Sequence, residues 1–477
     1  MSTPQPDRVR IRMYQMGFGD AFMLTFEYPE PLDDGRAERH MLVDFGSTRY
    51  AKRGFDISGV AEQIATDSNG ELDVVVVTHR HKDHMSGFSS KKSGAVLDKL
   101  HPKLVVQSWT EDPQAATDAT GVTRVGEQSL RFTNALVSAQ ALADSVHHDL
   151  LEQKKRARSF RGISNELLGA VEQQTMAVIG EDGLTNAKAY KRLAKWSKDG
   201  DCEFLCYGAK SKIPDYIPGI TVDVLGPPTV DQHSEVTGAR SKDKEYWMLH
   251  GQLYAQSKQT GALGAAGFKR VSKSELAVPA GPVRWLASKM QRQQINNLLR
   301  IVRELDDSLN NTSLILSIRA GDKHMLLPGD AQIENWNYSL HASDGSRGGL
   351  SAEEARELLK TVDFYKVSHH GSRNGTPRTL LQKLWGDNDD RDLVALMGTK
   401  KKVHGGSEQT AVPRETLIEA LLDRTHNRLY STASMPANED AVIEIAAKLS
   451  GGHPFEYVGP DDIPIPEADP TTELANH

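Results

Sequence analysis

The sequence predicts an α/β protein built on a mixed β-sheet, and three observations carry the prediction. Short apolar runs of strand length alternate with segments of helical periodicity. The opening reads β-β-β-α-β, and its hairpin start argues against a purely parallel sheet. Finally, Val74-Val75-Val76-Val77 has the length and β-branching of a strand buried on both faces, and it ends in Thr78-His79-Arg80-His81-Lys82-Asp83-His84. Open α/β folds place ligands at the carboxyl ends of such strands.

Val9 to Met13 alternates apolar and basic residues with the period of a strand. Gly17-Phe18-Gly19-Asp20 is a turn, and Ala21 to Tyr28 is a second strand. Pro29 to Arg39 is a polar hairpin loop; His40 to Phe45 is the third strand, closing in Asp44-Phe45-Gly46. Phe55 to Ala65 is helical, and Asn69-Gly70 turns the chain into the valine strand. After Gly87 come a short helix and a strand from Lys103 to Trp109.

The chain then departs from this plan. Residues 111–200 read as a mostly helical insertion, in which Phe132, Leu136, Ala139, Ala143, Val146 and Leu150 form a narrow apolar seam suited to a helix pair or a dimer. His147 and His148 read as solvated or capping residues. The basic run Lys154-Lys155-Arg156-Ala157-Arg158 reads first as a solvated helix face, second as a polyanion contact. Glu203 to Tyr207 and Ile220 to Leu225 return to strand pattern. A second insertion, 229–300, includes the glycine-rich Gly261 to Gly267; a helix is expected near Ser288 to Asp306.

Ser313 to Ile318 and Met325 to Leu327 form a hairpin about Ala320-Gly321-Asp322-Lys323, with His324 expected at its surface; the return strand ends in Pro328-Gly329-Asp330. Glu353 to Leu359 is helical. Phe364 to Val367 is a strand ending in Ser368-His369-His370-Gly371-Ser372. Leu393 to Met397, a helix from Arg414 to Leu422, and strands at Arg428 to Ser431 and Ala441 to Ile445 complete the pattern. The organisation is therefore a first core half at 1–110, insertions at 111–200 and 229–300 around return strands at 201–228, a second core half at 301–457, and a loose acidic, proline-rich tail at 458–477.

The 477 residues are 38% hydrophobic and 25% charged, with net charge −7. Such a balance provides a core and excludes a whole-molecule basic field, so any nucleic-acid contact must use a local patch. Cys202 and Cys206 are too few for a disulfide framework and fit a reducing cytoplasm as buried or free thiols. The polar start lacks the apolar region of a signal peptide, and no apolar run approaches the roughly 20 residues of a membrane span.

Three strand ends carry residues of ligand type: the histidine cluster, Asp330, and His369-His370. Together they imply a shared edge able to hold two divalent metal ions, Zn²⁺ or Mn²⁺. His79 and His81 suit one ion, Asp83, His84 and His369 the other, and Asp330 is the bridge.

These residues resemble the metallo-β-lactamase superfamily, in the order His79-x-His81-x-Asp83-His84, Gly329-Asp330, His369. More narrowly, Met16 to Ala21, Leu42 to Gly46, Leu225 to Pro228, Asn311 to Leu314, Leu326 to Asp330 and Val367 to Ser372 are similar to the soluble hydrolase domain of ComEC-type DNA-uptake proteins. The resemblance implies an αββα four-layer sandwich with a dinuclear site on its rim, interrupted here by two largely helical insertions. It departs from that pattern at one place. Many members carry a further histidine before the strand at Ser313, where this chain has Asn310 and Asn311. An amide oxygen is a weaker zinc ligand than imidazole.

The expected activity is hydrolysis of a phosphodiester in nucleic acid or a nucleotide, with a metal-bridging hydroxide as nucleophile. Asp83 would orient that hydroxide with Asp330. His370 would contact phosphoryl oxygens or protonate the leaving group, or else pack beside its neighbour. Ser372, Asn374 and Lys400 to Lys402 would add phosphate contacts or be ordinary loop residues. The alternatives are a metallohydrolase of esters, lactones or thioesters, and a partner-binding protein with a structural metal, joined to itself or another chain through the first insertion. No membrane association is expected.

Overall fold

The computed structural model describes residues 3–112, 185–229, 231–233, 309–386, 392–400, 403 and 412–459. These form a mixed α/β structure with two sheets. In chain order the elements are β1 (Arg8–Tyr14), β2 (Phe22–Glu27), β3 (Glu38–Val43), α1 (Ile57–Asp67), β4 (Val74–Val77), α2 (Lys82–Ser89), α3 (Lys91–Leu97), β5 (Leu104–Ser108) and α4 (Thr185–Asp199). There follow β6 (Asp201–Leu205), α5 (Ile213–Tyr216), β7 (Ile220–Gly226), β8 (Ile315–Ala320), β9 (Lys323–Leu327), α6 (Ile333–Asn337), α7 (Ala352–Leu359), β10 (Phe364–Lys366) and β11 (Val394–Met397). The chain closes with α8 (Glu415–Arg424), β12 (Leu429–Ser431), β13 (Val442–Lys448) and β14 (Glu456–Tyr457).

The eight-stranded sheet has the order β14-β13-β1-β2-β3-β4-β5-β6, and the six-stranded sheet β12-β11-β10-β9-β8-β7. Both are mixed, as the hairpin opening predicts. β4 pairs in parallel with β3 and β5, and all four of its valines are buried. Covered on both faces, it has no position where a polar residue would meet water, which explains the unbroken apolar run. In the second sheet β9, β10 and β11 are parallel neighbours.

Alternation along the strands divides the apolar side chains between two faces. Val9, Leu24, Val74 and Val76 of the first sheet share one core with Leu316, Met325, Phe364 and Leu396 of the second. Met23, Leu42, Val75 and Val105 point the other way, toward Val60 and Ile64 of α1 and Leu193 and Trp196 of α4. The reverse face of the second sheet, with Leu326, Tyr365 and Ala395, packs on Ala355 and Leu359 of α7 and Leu421 of α8. Each fully buried side chain of this kind contributes roughly 1.5–3 kcal/mol.

Several expectations are corrected. The short helix expected after Gly87 is α3, and a further helix, α2, starts at Lys82 and takes up Asp83 and His84 of the cluster. His324 is not at the surface. It is buried on β9, with its Nε2 2.8 Å from the Ser317 hydroxyl and its Nδ1 2.8 Å from the Thr361 hydroxyl, because the hairpin lies flat against the chain entering β10. β14 pairs with β13 beyond the last expected strand. The apolar seam from Phe132 to Leu150, His147, His148, the basic run at Lys154, the helix near Ser288, Lys401 and Lys402 lie outside the described residues, as does the tail from 460. Among the described residues, no helix is long and apolar enough to cross a membrane.

Candidate metal centre

The carboxyl ends of parallel strands from both sheets meet at one buried point. From the first sheet, β4 passes into Thr78, whose backbone N–H and hydroxyl both donate to Asp44, at 2.8 Å each. His79 follows, fully buried. His81 is the extended residue before α2, and Asp83 and His84 occupy the first turn of that helix, where a carboxylate is favoured by the exposed backbone N–H groups.

The start of α2 is clamped by its neighbours. The N–H of Asp20 donates to the Asp83 carbonyl at 3.0 Å, and that of Phe45 to the His84 carbonyl at 2.8 Å. The approach is so close that a Cβ on Gly46 would lie 2.4 Å from the Lys82 carbonyl oxygen and 2.6 Å from the Met85 nitrogen. Only glycine fits there.

A buried ion pair holds the cluster from the other side. Arg80 donates to both carboxylate oxygens of Glu111, at 2.9 and 2.7 Å, and its guanidinium lies 5.6 Å from the centre of the Tyr190 ring on α4. The loop bearing the histidines is thus fastened to α4.

From the second sheet, β9 delivers Asp330 and β10 delivers His369 and His370. Both histidines adopt the left-handed conformation, with φ of 50° and 52°. Two successive non-glycine residues in this region cost on the order of 1–2 kcal/mol each. The kink sends the two rings apart, their centres 6.5 Å from one another.

Asp20, His84, Asp330 and His370 each place a ligating atom within 4.8 Å of the others, a buried group that could hold a metal ion. The Nε2 atoms face the centre: that of His84 is 3.0 Å and that of His370 3.2 Å from Asp330 Oδ2. Asp83 joins them, its Oδ2 3.1 Å from His370 Nε2. Asp20 instead approaches the Nδ1 side of both rings, at 3.7 and 3.8 Å, and is paired with Lys366. On this geometry Asp83 is the better fourth ligand, and Asp20 is a charge held behind the rings.

The outer ring nitrogens are already engaged. His84 Nδ1 donates to Asp44 at 2.8 Å, and His370 Nδ1 to the Gly398 carbonyl at 2.6 Å. These bonds keep a proton on each Nδ1 and turn both Nε2 atoms inward, so that a divalent ion displacing the Nε2 protons would meet the arrangement that metal-ligating histidines require. Lys366 donates to the Gly329 carbonyl at 2.8 Å and stands 3.2 Å from Asp330 Oδ1, so the two oxygens of Asp330 face opposite charges. Two imidazoles and two carboxylates converging in a buried space fit a divalent first-row metal.

Electrostatics divide the four cluster histidines. Burial lowers an imidazole pKa, but at His370 the carboxylates of Asp330, Asp20 and Asp83 outweigh it and hold the value at about 10. At His84, burial is likewise overcome by Asp330 and Asp44, and the pKa is raised. At His79, burial and the neighbouring imidazoles His84 and His81 prevail, so its pKa is depressed; His81 is lowered as well, by burial first. Burial also raises Asp20. At Asp330, burial is outweighed by His370, His84 and Lys366, and the carboxyl stays far below its ordinary value.

The expected site residues can now be placed. His79, His81, Asp83, His84 and Asp330 come together. Of the two adjacent histidines, His370 belongs to the group that could hold a metal, whereas His369, expected there, is half-buried with its Nδ1 3.2 Å from Asn374 Oδ1. The left-handed kink is the reason. With Nε2 among carboxylates and Nδ1 on a carbonyl, His370 faces the interior. Lys400 donates to the carbonyls of Tyr50 and Ala51, at 2.5 and 3.1 Å, rather than projecting as a phosphate contact.

Asp20, Asp44 and Lys366 were not expected at the site. Asp20 and Asp44 each lie at a turn or strand end within a segment that the resemblance covers, whereas Lys366 ends β10 just before such a segment and carried no signal. A cavity of about 1110 Å³ runs along β6 past Glu111, Tyr190 and Tyr207, but its lining includes none of the cluster. A scan against protein-family models finds no match to this chain, and a search of curated proteins finds none either.

Proposed function

We propose that this chain is a metal-dependent hydrolase of the metallo-β-lactamase type, acting on phosphodiesters of nucleic acid or nucleotides. The observation that carries the reading is the meeting of Asp83, His84, Asp330 and His370, drawn from both sheets with their outer atoms already satisfied. The four-layer αββα sandwich belongs to the same proposal. It is supported by one apolar core between the sheets and by helices on the two remaining faces.

Zn²⁺ or Mn²⁺ held here would supply Lewis-acid polarisation of a phosphoryl oxygen and a nucleophile at neutral pH. His84 and His370 would hold the ion through Nε2, oriented by Asp44 and Gly398. Asp330 presents one oxygen to the centre, while Lys366 holds the other in place. Burial excludes bulk water and strengthens every charge interaction in the group. The phosphodiester class rests on the resemblance of the strand-end motifs to ComEC-type hydrolase domains.

The full chain loaded with Mn²⁺ or Zn²⁺ should cleave single- or double-stranded DNA, RNA, or bis(p-nitrophenyl) phosphate, and His370→Ala should lose that cleavage. Turnover of esters, lactones or thioesters alone would move the substrate class to carbon electrophiles. Cleavage undiminished in His370→Ala would remove the site from the chemistry.

A further inference from the structure

We propose that the exposed lysines of α4 form a docking stripe for the phosphate backbone of a polynucleotide. The inference rests on the phosphodiester reading above and deepens it, since it makes the substrate a nucleic-acid chain and not a free nucleotide.

The sequence divides α4 into two faces. Ala189, Leu193 and Trp196 recur at helical spacing and are buried against Met23, Leu42, Val75 and Val105 of the first sheet. At about 100° per residue, Lys188, Lys191, Lys195 and Lys198 fall within an arc of about 80° on the opposite face. All four are exposed. From Lys188 to Lys198 the helix also holds Arg192 and has no acidic residue. Among the described residues, no carboxylate pairs with any of the four lysines. Two carboxylates beside the helix are already engaged. Asp98 accepts from Arg192 at 3.1 Å and from Trp196 Nε1 at 2.9 Å, and Glu111 accepts from Arg80 and the Tyr190 hydroxyl.

A helix face needs charge to be solvated, and mixed signs do that best. Like charges three and four residues apart repel, so Lys188 with Lys191, Lys191 with Lys195, and Lys195 with Lys198 weaken the helix that bears them. An anion laid along the stripe would relieve all three pairs. In a chain of net charge −7 the stripe is a local reversal of sign. Such a patch is how a protein without an overall basic field takes hold of a polyanion.

The geometry selects the kind of polyanion. A basic amphipathic helix can also enter a membrane surface or a partner's groove, but both need its apolar face. Here that face is buried in the core, and only the charges are on offer. From Lys188 to Lys198 the stripe is about 15 Å long, the axial span of about four phosphates along one strand. It also lies beside the candidate metal centre. Arg192 donates to the Phe88 carbonyl of α2, the helix that bears Asp83 and His84. Tyr190, next to Lys191, carries the Arg80 guanidinium over its ring.

The test uses the full chain. Binding of a short fluorescein-labelled single-stranded DNA is followed by anisotropy in chelator, which prevents cleavage, between about 50 and 200 mM salt. Replacing Lys188, Lys191, Lys195 and Lys198 together by glutamine should weaken binding about 100-fold at the low-salt end and reduce the slope of log K against log salt by about 3. The double variant Lys191→Gln/Lys195→Gln should reduce that slope by about half as much. With Mn²⁺ added, KM for the same DNA should rise while kcat holds, and bis(p-nitrophenyl) phosphate, too small to span the stripe, should be hydrolysed as before. Thermal melts verify folding. Affinity and slope unchanged in the fourfold variant would overturn the stripe and spare the hydrolase reading. Retention on phosphatidylserine vesicles without binding to DNA would also overturn it, by assigning the lysines to a lipid surface. DNA binding that falls in the variant, with neither substrate cleaved by the wild type, would support the stripe and sink the hydrolase reading.

Discussion

His79 and His81 are buried as fully as His84 and His370, yet the two pairs differ in electrostatic character. The second pair faces Asp330, Asp83, Asp44 and Asp20, and its imidazoles are driven toward the charged form. The first pair faces another ring and a carboxamide, and it is held neutral. Burial is common to all four, so the partners decide the difference. A negative pocket that holds protons on His84 and His370 is equally a pocket for a divalent cation.

The comparison can be broken most severely at Asp330. Asp330→Ala removes the carboxylate that both Nε2 atoms face and leaves Lys366 paired with Asp20 and the Gly329 carbonyl. Metal retention and phosphodiester cleavage should both fall by roughly 10³-fold or more, about 4 kcal/mol. Titration with metal after chelation, run beside the cleavage assay, provides the check.

Adjacent histidines sharpen it next. His370→Ala should approach the Asp330 effect, while His369→Ala should cost about 10-fold, as expected of a neighbour outside the ligating group. Equal losses in the two variants would contradict the opposite directions of the rings. Asp44→Asn should follow, with a loss of about 10- to 100-fold in metal affinity, since it weakens the acceptor that orients His84 without removing a ligand. Melting curves of the metal-free protein will separate that loss from unfolding.

His40 offers a control outside the site. It sits on β3, 2% exposed, and burial outweighs the pull of Asp73 to hold its pKa at about 4. The folded value lies below the ordinary 6.5, so on acidification the unfolded chain takes up the proton first. This contribution is fully present above pH ~6.5 and is lost as pH falls toward ~4, by about 3 kcal/mol in total. Denaturation midpoints between those limits should drop less steeply in His40→Gln than in the wild type. Identical slopes would show that His40 does not titrate as its burial requires.

The parts of the molecule that were readable beforehand are those governed by local pattern. Four consecutive valines can only be a doubly covered strand, and three strands ending in imidazole or carboxylate imply a common edge. What stayed hidden depended on contacts across the chain. Which of His369 and His370 turns inward is set by a left-handed kink that neither residue type advertises. Asp20 and Asp44 are single carboxylates on separate turns, and their meaning arises only when Gly46 lets α2 settle against them. His324 looked like a hairpin tip because its two hydroxyl partners lie on β8 and beyond α7.

The pairing of β13 with β1 bears on how such a chain is made. All of the metal-facing side chains lie at or before His370, yet β1 gains its second neighbour only from Val442–Lys448. A nascent chain emerging from the ribosome thus carries a full set of donors long before its first strand is sheltered, and for that interval the open edge of β1 is a place where another polypeptide can add on. A protein cut short after residue 434 would keep every donor atom and still be prone to clump.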